Sequence, residues 1–241
     1  MAGGTAYKRI LLKLSGESLC SADGSGIDVP QVAAVVEEIL PVVGLGVQLG
    51  IVVGGGNFVR ARALADQADV QRVTADHMGM LGTVINALAL RDVFETRGQR
   101  ARVMSAIPLP TGICGAFNRR KAIKHLEAGH VVLFAGGTGS PFFTTDTTAA
   151  LRACEIGAEL IVKATKVDGV YDSDPLVNPD ATMFERLTYQ QALQHRLGIM
   201  DMAAFSLCAE NGIRLVVCQV FAPGNLMKVA RGERVGTLVT Q

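Results

Sequence analysis

Arg9-Ile10-Leu11-Leu12-Lys13-Leu14-Ser15-Gly16-Glu17 reads as a buried β-strand that closes on a lysine and runs into small and hydroxyl residues. Glu159-Leu160-Ile161-Val162-Lys163-Ala164-Thr165-Lys166-Val167-Asp168-Gly169 repeats the arrangement 150 residues later. Both runs are almost continuously apolar up to the lysine, the pattern of strands covered on both faces in a mainly parallel sheet. A lysine ending such a strand must snorkel to water or find a partner. Between the two runs lie two glycine-rich strand ends, Gly54-Gly55-Gly56-Asn57 and Gly136-Gly137-Thr138-Gly139. Four such tips in one sheet would gather two cations and many backbone N–H groups around one crevice. That is a phosphate-handling arrangement, and two cations suit phosphoryl transfer better than simple binding.

Working outward, β-rich runs are expected at Arg9–Leu14, Val47–Val53, Arg102–Ser105, His130–Phe134, Glu159–Lys163 and Arg214–Val220. Helical patterns separate them, so the chain is read as α/β, built from repeated βαβ units. Asp28 can cap a helix with Pro30 near its start, ending around Gly44 to Gly46, and Pro41 should kink it or end it early. Val73 to Thr96 reads as one long helix ending at Gly98. Thr144 or Thr145 can cap a helix through Glu155 that ends at Gly157. Asp168 to Pro175 is expected to be an exposed loop, a common place for function at a strand tip.

Bulk properties narrow the classes. Of 241 residues, 49% are hydrophobic and 19% charged, which excludes a disordered chain. No apolar run reaches the roughly 18 residues of a membrane span, and no signal peptide is visible. A net charge of +1 argues against nucleic acid as the main partner. Cys20, Cys114, Cys154, Cys208 and Cys218 show no metal or redox spacing, and fit reduced thiols in a cytoplasmic protein. The four histidines form no ligand cluster; His77 beside Asp76 defines no site by itself.

Familiar nucleotide motifs fail. There is no G-x-x-x-x-G-K-[ST], and neither glycine turn completes a dinucleotide fingerprint. The glycines of Gly54-Gly55-Gly56-Asn57 let a phosphate approach the backbone at the start of a probable helix, with Arg60 one turn along as a phosphate fork. A tight turn with a surface arginine is the plainer alternative. Lys13 could be a solvated strand end, a reading that the second lysine weakens. Lys166 competes with Lys163, which closes the apolar strand directly. Gly136 to Asp146 is the richest stretch: a glycine turn, Phe142 and Phe143 for stacking or burial, two threonine hydroxyls, and Asp146 at a helix start. Asp146 could orient the lysines, help to hold magnesium, or serve only the helix dipole.

Taken together these residues resemble the amino acid kinase superfamily and, within it, the bacterial uridylate (UMP) kinases. The resemblance covers essentially the whole chain. It rests on Tyr7 to Glu17, Gly54 to Asn57, Asp76-His77-Met78-Gly79-Met80-Leu81, Met104 to Pro108, Gly137 to Asp146, Lys163 to Val170, Leu187-Thr188-Tyr189 and Met200 to Phe205. It implies one three-layer αβα sandwich, residues 1–241, with a lobe of about residues 1–160 binding UMP and a lobe of about 161–241 binding ATP. The implied activity is Mg²⁺-dependent transfer of phosphate from ATP to UMP, giving UDP in pyrimidine nucleotide biosynthesis. Lys13, Asp146 and Lys163 are the implied catalytic set. Lys13, Leu14, Ser15, Gly16, Gly56, Arg60, Thr165, Tyr171 and Asp174 are implied for ATP. Gly55, Asp76, Gly137, Thr138, Gly139, Ser140, Pro141, Phe142, Phe143 and Thr144 are implied for UMP, with Asp76 on the ribose. Ser21, Ala22, Asp23, Gly24, Ser25 and Gly26 match the region tied to GTP activation. The resemblance also implies a homohexamer inhibited by UTP, with magnesium carried on the nucleotide phosphates. Ser140 stands where many such enzymes carry asparagine, and Thr111 to Arg120 departs from the pattern. Two other readings stay open: a superfamily kinase acting on an amino acid or carbamate, and a non-catalytic nucleotide-binding or storage relative. The lysine pair argues against storage.

Overall fold

The computed structural model describes residues 4–21, 24–60, 63–64, 66, 69–110, 112–175, 177–195 and 197–241. Among these residues eleven strands are formed: β1 (Arg9–Leu14), β2 (Gln48–Val53), β3 (Ala101–Ser105), β4 (Gly115–Ala116), β5 (Val131–Ala135), β6 (Leu160–Ala164), β7 (Val170–Tyr171), β8 (Met183–Phe184), β9 (Arg186–Thr188), β10 (Arg214–Cys218) and β11 (Thr237–Thr240). Nine make one sheet in the order β4-β3-β5-β2-β1-β6-β10-β11-β9, and β7 pairs with β8 separately. From β4 to β10 every pairing is parallel; β10 and β11 run antiparallel, and β11 pairs parallel with β9.

Among the described residues the main helices are α1 (Val29–Gly44), α2 (Arg72–Thr96), α3 (Arg119–Glu127), α4 (Thr145–Ile156), α5 (Tyr189–Gln194), α6 (Met202–Glu210) and α7 (Asn225–Ala230), with a short 3-10 turn at Gly16–Leu19. They cover both faces. Ile10, Leu12 and Leu14 of β1 and Leu160, Val162 and Ala164 of β6 pack with α1, α2 and α7. Leu11 and Ile161 pack on the other face with α3, α4 and α6. The architecture is therefore the expected αβα sandwich.

The alternation along a strand decides where the lysines go. Lys13 and Lys163 are register partners in the adjacent strands β1 and β6. Counting by twos from Leu11 and Ile161, both lysines point to the α4 face, at the carboxyl ends of the two strands. The winding reverses there: from β1 the chain builds β2, β3 and β5 to one side, then crosses to β6 on the other. Such a switch point leaves a crevice beyond the strand ends.

Helix α1 stops at Gly44, where its terminal glycines were expected to stop it, so of the two effects expected of Pro41 an early end does not occur. The buried Val42 anchors the final turn, and the Leu45 N–H reaches the Val42 carbonyl at 3.2 Å. A tight turn comes first after β2, where the Phe58 and Val59 N–H groups both fold back to the Gly55 carbonyl, at 3.0 Å each. Helical residues follow at Ala63 and Leu64, and the Leu64 N–H reaches the Arg60 carbonyl at 3.0 Å, so Arg60 stands before that helical turn and not one turn into it; the long helix begins at Arg72. Part of Asp168 to Pro175 is ordered as β7, held to β8 through Val170 and Tyr171 with Val170 buried.

Candidate active site

The site is built from the first turn of α4 upward. Thr144 is its N-cap: the hydroxyl accepts from the Asp146 N–H at 3.0 Å and the Thr147 N–H at 3.3 Å. That fixes Asp146 over the ends of β1 and β6. Lys13 Nζ lies 2.9 Å from Asp146 Oδ1, and Lys163 Nζ lies 2.7 Å from Oδ2. The three side chains are only 13–15% exposed. The Lys163 ammonium also donates to the Ile199 carbonyl. Among the described residues no aligned hydrogen bond reaches Asp146 Oδ1, so its contact with Lys13 is an ion pair without one.

Burial pushes the Asp146 carboxyl up, but Lys13 and Lys163 together pull it below the ordinary carboxylate value. Burial pushes Lys163 down; Asp146 pulls it back up and Lys13 opposes that, leaving it below the usual lysine value. One carboxylate between two ammonium groups carries a net positive charge in a poorly hydrated place. A buried ion cluster of this kind is weak evidence of a stabilising device. It is a ready-made partner for a group that gains negative charge during reaction.

Asp201 braces this centre. Its Oδ1 accepts from the Ala204 N–H at 2.9 Å, capping α6, and its Oδ2 accepts from the Thr147 hydroxyl at 2.7 Å and from the Thr144 hydroxyl. One side chain therefore ties the starts of α4 and α6 and fixes the cap that holds Asp146.

The glycine turns sit alongside. A Cβ on Gly16 would lie 2.4 Å from Asn57 Oδ1 and 2.7 Å from the Gly54 carbonyl, and one on Gly55 would lie 2.4 Å from the Gly79 carbonyl. Only glycine lets these backbones close on each other. Asn57 and Asn86 exchange amide hydrogen bonds at 2.9 and 2.7 Å; Asn86 also donates to the Gly54 carbonyl and Asn57 to the Gly26 carbonyl, each at 2.7 Å. Both asparagines are buried.

Gly137 to Thr144 forms a separate loop. Gly136, Gly137 and Gly139 take φ of +74°, +59° and +86°, and Phe142 takes +71°. The Gly136 N–H donates to the Thr83 hydroxyl at 2.8 Å, and the Thr138 hydroxyl donates to the Ser140 carbonyl at 3.0 Å. The Phe142 N–H donates to Asp76 Oδ2 at 2.8 Å. Asp76, Gly137 and the loop through Pro141, Phe143 and Thr144 are thus brought together.

On the other side of the lysines opens a cleft of about 1020 Å³ whose lining includes Ser15, Glu17, Ser21, Arg60, Thr165 and Lys166. Glu17 holds Arg60 at 2.6 Å and Lys166 at 3.1 Å, and these cations draw its carboxyl below the ordinary value. Gly24 also lines the cleft, and the Gly26 N–H donates to the Asn57 carbonyl at 3.0 Å. The segment associated with GTP therefore adjoins the cleft and the Gly54–Asn57 turn, with Ala22 and Asp23 outside the described residues. Tyr171 and Asp174 do not line it. The Tyr171 hydroxyl donates to Asp168 Oδ1 at 2.6 Å, and the Asp174 carbonyl accepts from Val177 and Asn178. Leu14 is buried beneath the site and Gly56 sits in the turn after β2.

Among the described residues no group of three or more His, Cys, Asp or Glu side chains is placed to hold a metal. Asp146 Oδ1 is the buried side-chain oxygen left without an aligned donor, which fits an arrangement where a hard cation comes mainly on a ligand's oxygens. Sequence reasoning did not single out Glu17, Arg72, Thr83, Asn86 or Asp201. Thr83 and Asn86 carried a signal, as polar residues on the buried side of a long helix.

Two lysines from neighbouring strand ends, a carboxylate between them and glycine turns on either side place the molecule among the phosphoryl-transfer folds. The amino acid kinase family profile matches residues 8–219, and the chain belongs to that family. The chain is 54% identical to the uridylate kinase of Legionella pneumophila (strain Lens) over 233 residues, which are 97% of this chain and 94% of that protein. It is 52% identical to the uridylate kinase of Methylococcus capsulatus, covering 97% of both chains. Among solved structures, UMP kinase from Bacillus anthracis superposes with a TM-score of 0.93 at 38% identity, over 97% of this chain and 96% of that one. UMP kinase from Ureaplasma parvum gives 0.91 at 36%, over 97% and 99%.

Proposed function

We propose that the chain transfers the γ-phosphate of ATP to UMP, reversibly, giving ADP and UDP for pyrimidine nucleotide synthesis. The observation that carries this is Asp146 gripping both Lys13 and Lys163 where β1 and β6 end. A UMP phosphate oxygen attacks the γ-phosphorus in line, the bond to the ADP oxygen breaks, and no covalent enzyme intermediate forms. Lys13 and Lys163 offset charge that builds on the transferring group, while Asp146 holds the two ammonium groups in place. Lys13 to Gly16, Gly56, Arg60 and Thr165 take the ATP phosphates and nucleoside, with Tyr171 and Asp174 on the adenine side. Gly55, Asp76 and Gly137 through Thr144 take UMP. The UMP end belongs mainly to residues 1–160 and the ATP end to 161–241, with β1 serving both. Mg²⁺ carried on the nucleotide oxygens would neutralise phosphate charge.

Regulation and assembly follow the same reading: GTP activates through Ser21 to Gly26, UTP inhibits, and six copies associate in the cytoplasm. Support for self-association is an exposed apolar stripe on α2, Met78, Leu81 and Ile85, at helical spacing. No helix among the described residues is long and apolar enough to cross a membrane. The test is a coupled assay with ATP and, separately, UMP, CMP, glutamate and aspartate, each with and without GTP. UDP formation from UMP alone, raised by GTP, is expected; phosphorylation of an amino acid, or of nothing, contradicts the assignment.

A further inference from the structure

Phe142 is the one described residue other than glycine with a positive φ, +71°, and its ring is 64% exposed. A side chain with a Cβ adopts that region rarely, and keeps it only where the surroundings over-determine it. Two groups supply that determination, both at the start of α2. Asp76, buried, accepts the Phe142 N–H at 2.8 Å. Arg72, one helical turn before Asp76, lays its guanidinium over the Phe142 ring, 6.0 Å from the centroid. The same arginine donates Nε to both Asp76 oxygens, at 2.9 Å to Oδ1 and 3.0 Å to Oδ2.

The hydrogen-bond count on Asp76 is unequal. Oδ2 receives Arg72 and Phe142; among the described residues Oδ1 receives Arg72 alone. Each carboxylate oxygen can accept two hydrogen bonds. Arg72 thus fixes the rotamer of Asp76 from one side, Phe142 fixes it from the other, and acceptor capacity on Oδ1 is left for a hydroxyl donor.

We propose that Arg72 is a positioning residue that sets the preference of the site for a ribonucleotide. It aims the Asp76 carboxylate at the vicinal hydroxyls of the acceptor sugar, and through the Phe142 ring it ties that aim to the shape of the Gly137–Thr144 loop. A site built around a fixed acceptor rejects a ligand without the matching hydroxyls, because the carboxylate then loses water and gains no donor. Without Arg72 the Asp76 side chain is free to turn toward water and the rejection weakens. Nothing in this assigns Arg72 to the phosphate chemistry.

The inference rests on the reading of Asp76 as the sugar contact of a UMP kinase. The test compares kcat/KM for UMP with that for its dideoxy analogue, which lacks both sugar hydroxyls, in the wild type, Arg72→Ala and Arg72→Lys. Arg72 is partly exposed at a helix start, so both variants are expected to fold. The wild type should favour UMP, and Arg72→Ala should lose roughly tenfold or more of that preference, mainly through UMP, with KM for ATP little changed. Arg72→Lys, which keeps the charge but not the flat fork, should recover part of it. Equal losses on the two acceptors in Arg72→Ala would show a merely structural role and overturn the inference alone. A wild type that phosphorylates neither acceptor would overturn the function proposed above together with it.

Discussion

Asp146 gives the residue scale its clearest case, since its charge is what makes two neighbouring ammonium groups tolerable. Its carboxyl is held below the ordinary value, so it contributes stability that is complete above the unfolded carboxylate pKa and is lost as pH falls through the lower folded one. Lys163 is shifted down as well, by burial first. For a lysine this sign means that the charged form costs stability at neutral pH, and that the ammonium is given up below the usual lysine pKa. The expected consequence is an alkaline limb in kcat/KM for ATP, which reports the free enzyme, lying below the ordinary lysine value of 10.5. A Lys163→Arg protein, whose guanidinium does not titrate, should keep whatever activity it has through that range. An unchanged limb in the arginine variant would assign the titration to another group. Lys13, Lys163 and Asp146 were all legible in the sequence, because a charged residue at the end of an apolar strand or beside a capping threonine stands out from its surroundings. Arg72, Asp201 and Glu17 were not. Each acts on a partner distant in sequence or along a helix face that composition does not mark, and only the fold reveals the partner.

At the scale of elements, six long strands and the three principal helices could be read from apolar runs, caps and terminal glycines. The remaining strands have two to four residues. Pieces that short have no periodicity of their own and are created by the neighbour they pair with, as β7 is by β8. Pro41 carried two possible effects, a kink or an early end, and the early end does not occur: propensity says stop, while burial of Val42 in the core says continue, and tertiary packing wins. The glycine turn after β2 was read as a place where a phosphate can approach the backbone, and the structure gives its glycines a packing reason as well. Gly55 has no room for a Cβ because the α2 backbone lies against it: a Cβ there would lie 2.4 Å from the Gly79 carbonyl. Its small size serves helix packing as well as any ligand. Helix α2 itself shows why the buried polar network was missed. Asp76, Thr83 and Asn86 lie on its buried side and blur the apolar stripe, yet each is satisfied by a loop that the helix organises.

At the scale of the whole molecule, two consequences can be checked. The α2 stripe of Met78, Leu81 and Ile85 is exposed in the single chain, and the proposed hexamer would cover it with a second copy. Sedimentation of the wild type should report six copies, and Leu81→Asp should give smaller, still folded species; an unchanged mass in the variant would remove this helix from the interface. The second consequence concerns the parallel sheet as a device. It sets two strands, 150 residues apart in the chain, side by side, so that Lys13 and Lys163 share a row and meet one carboxylate. The most direct measurement is UDP formation by Lys13→Ala and Lys163→Ala, with circular dichroism confirming that each is folded. Both should lose roughly three or more orders of magnitude in kcat, since each removes a charge aimed at the transferring group. Near-normal turnover in folded protein from either variant would contradict the account.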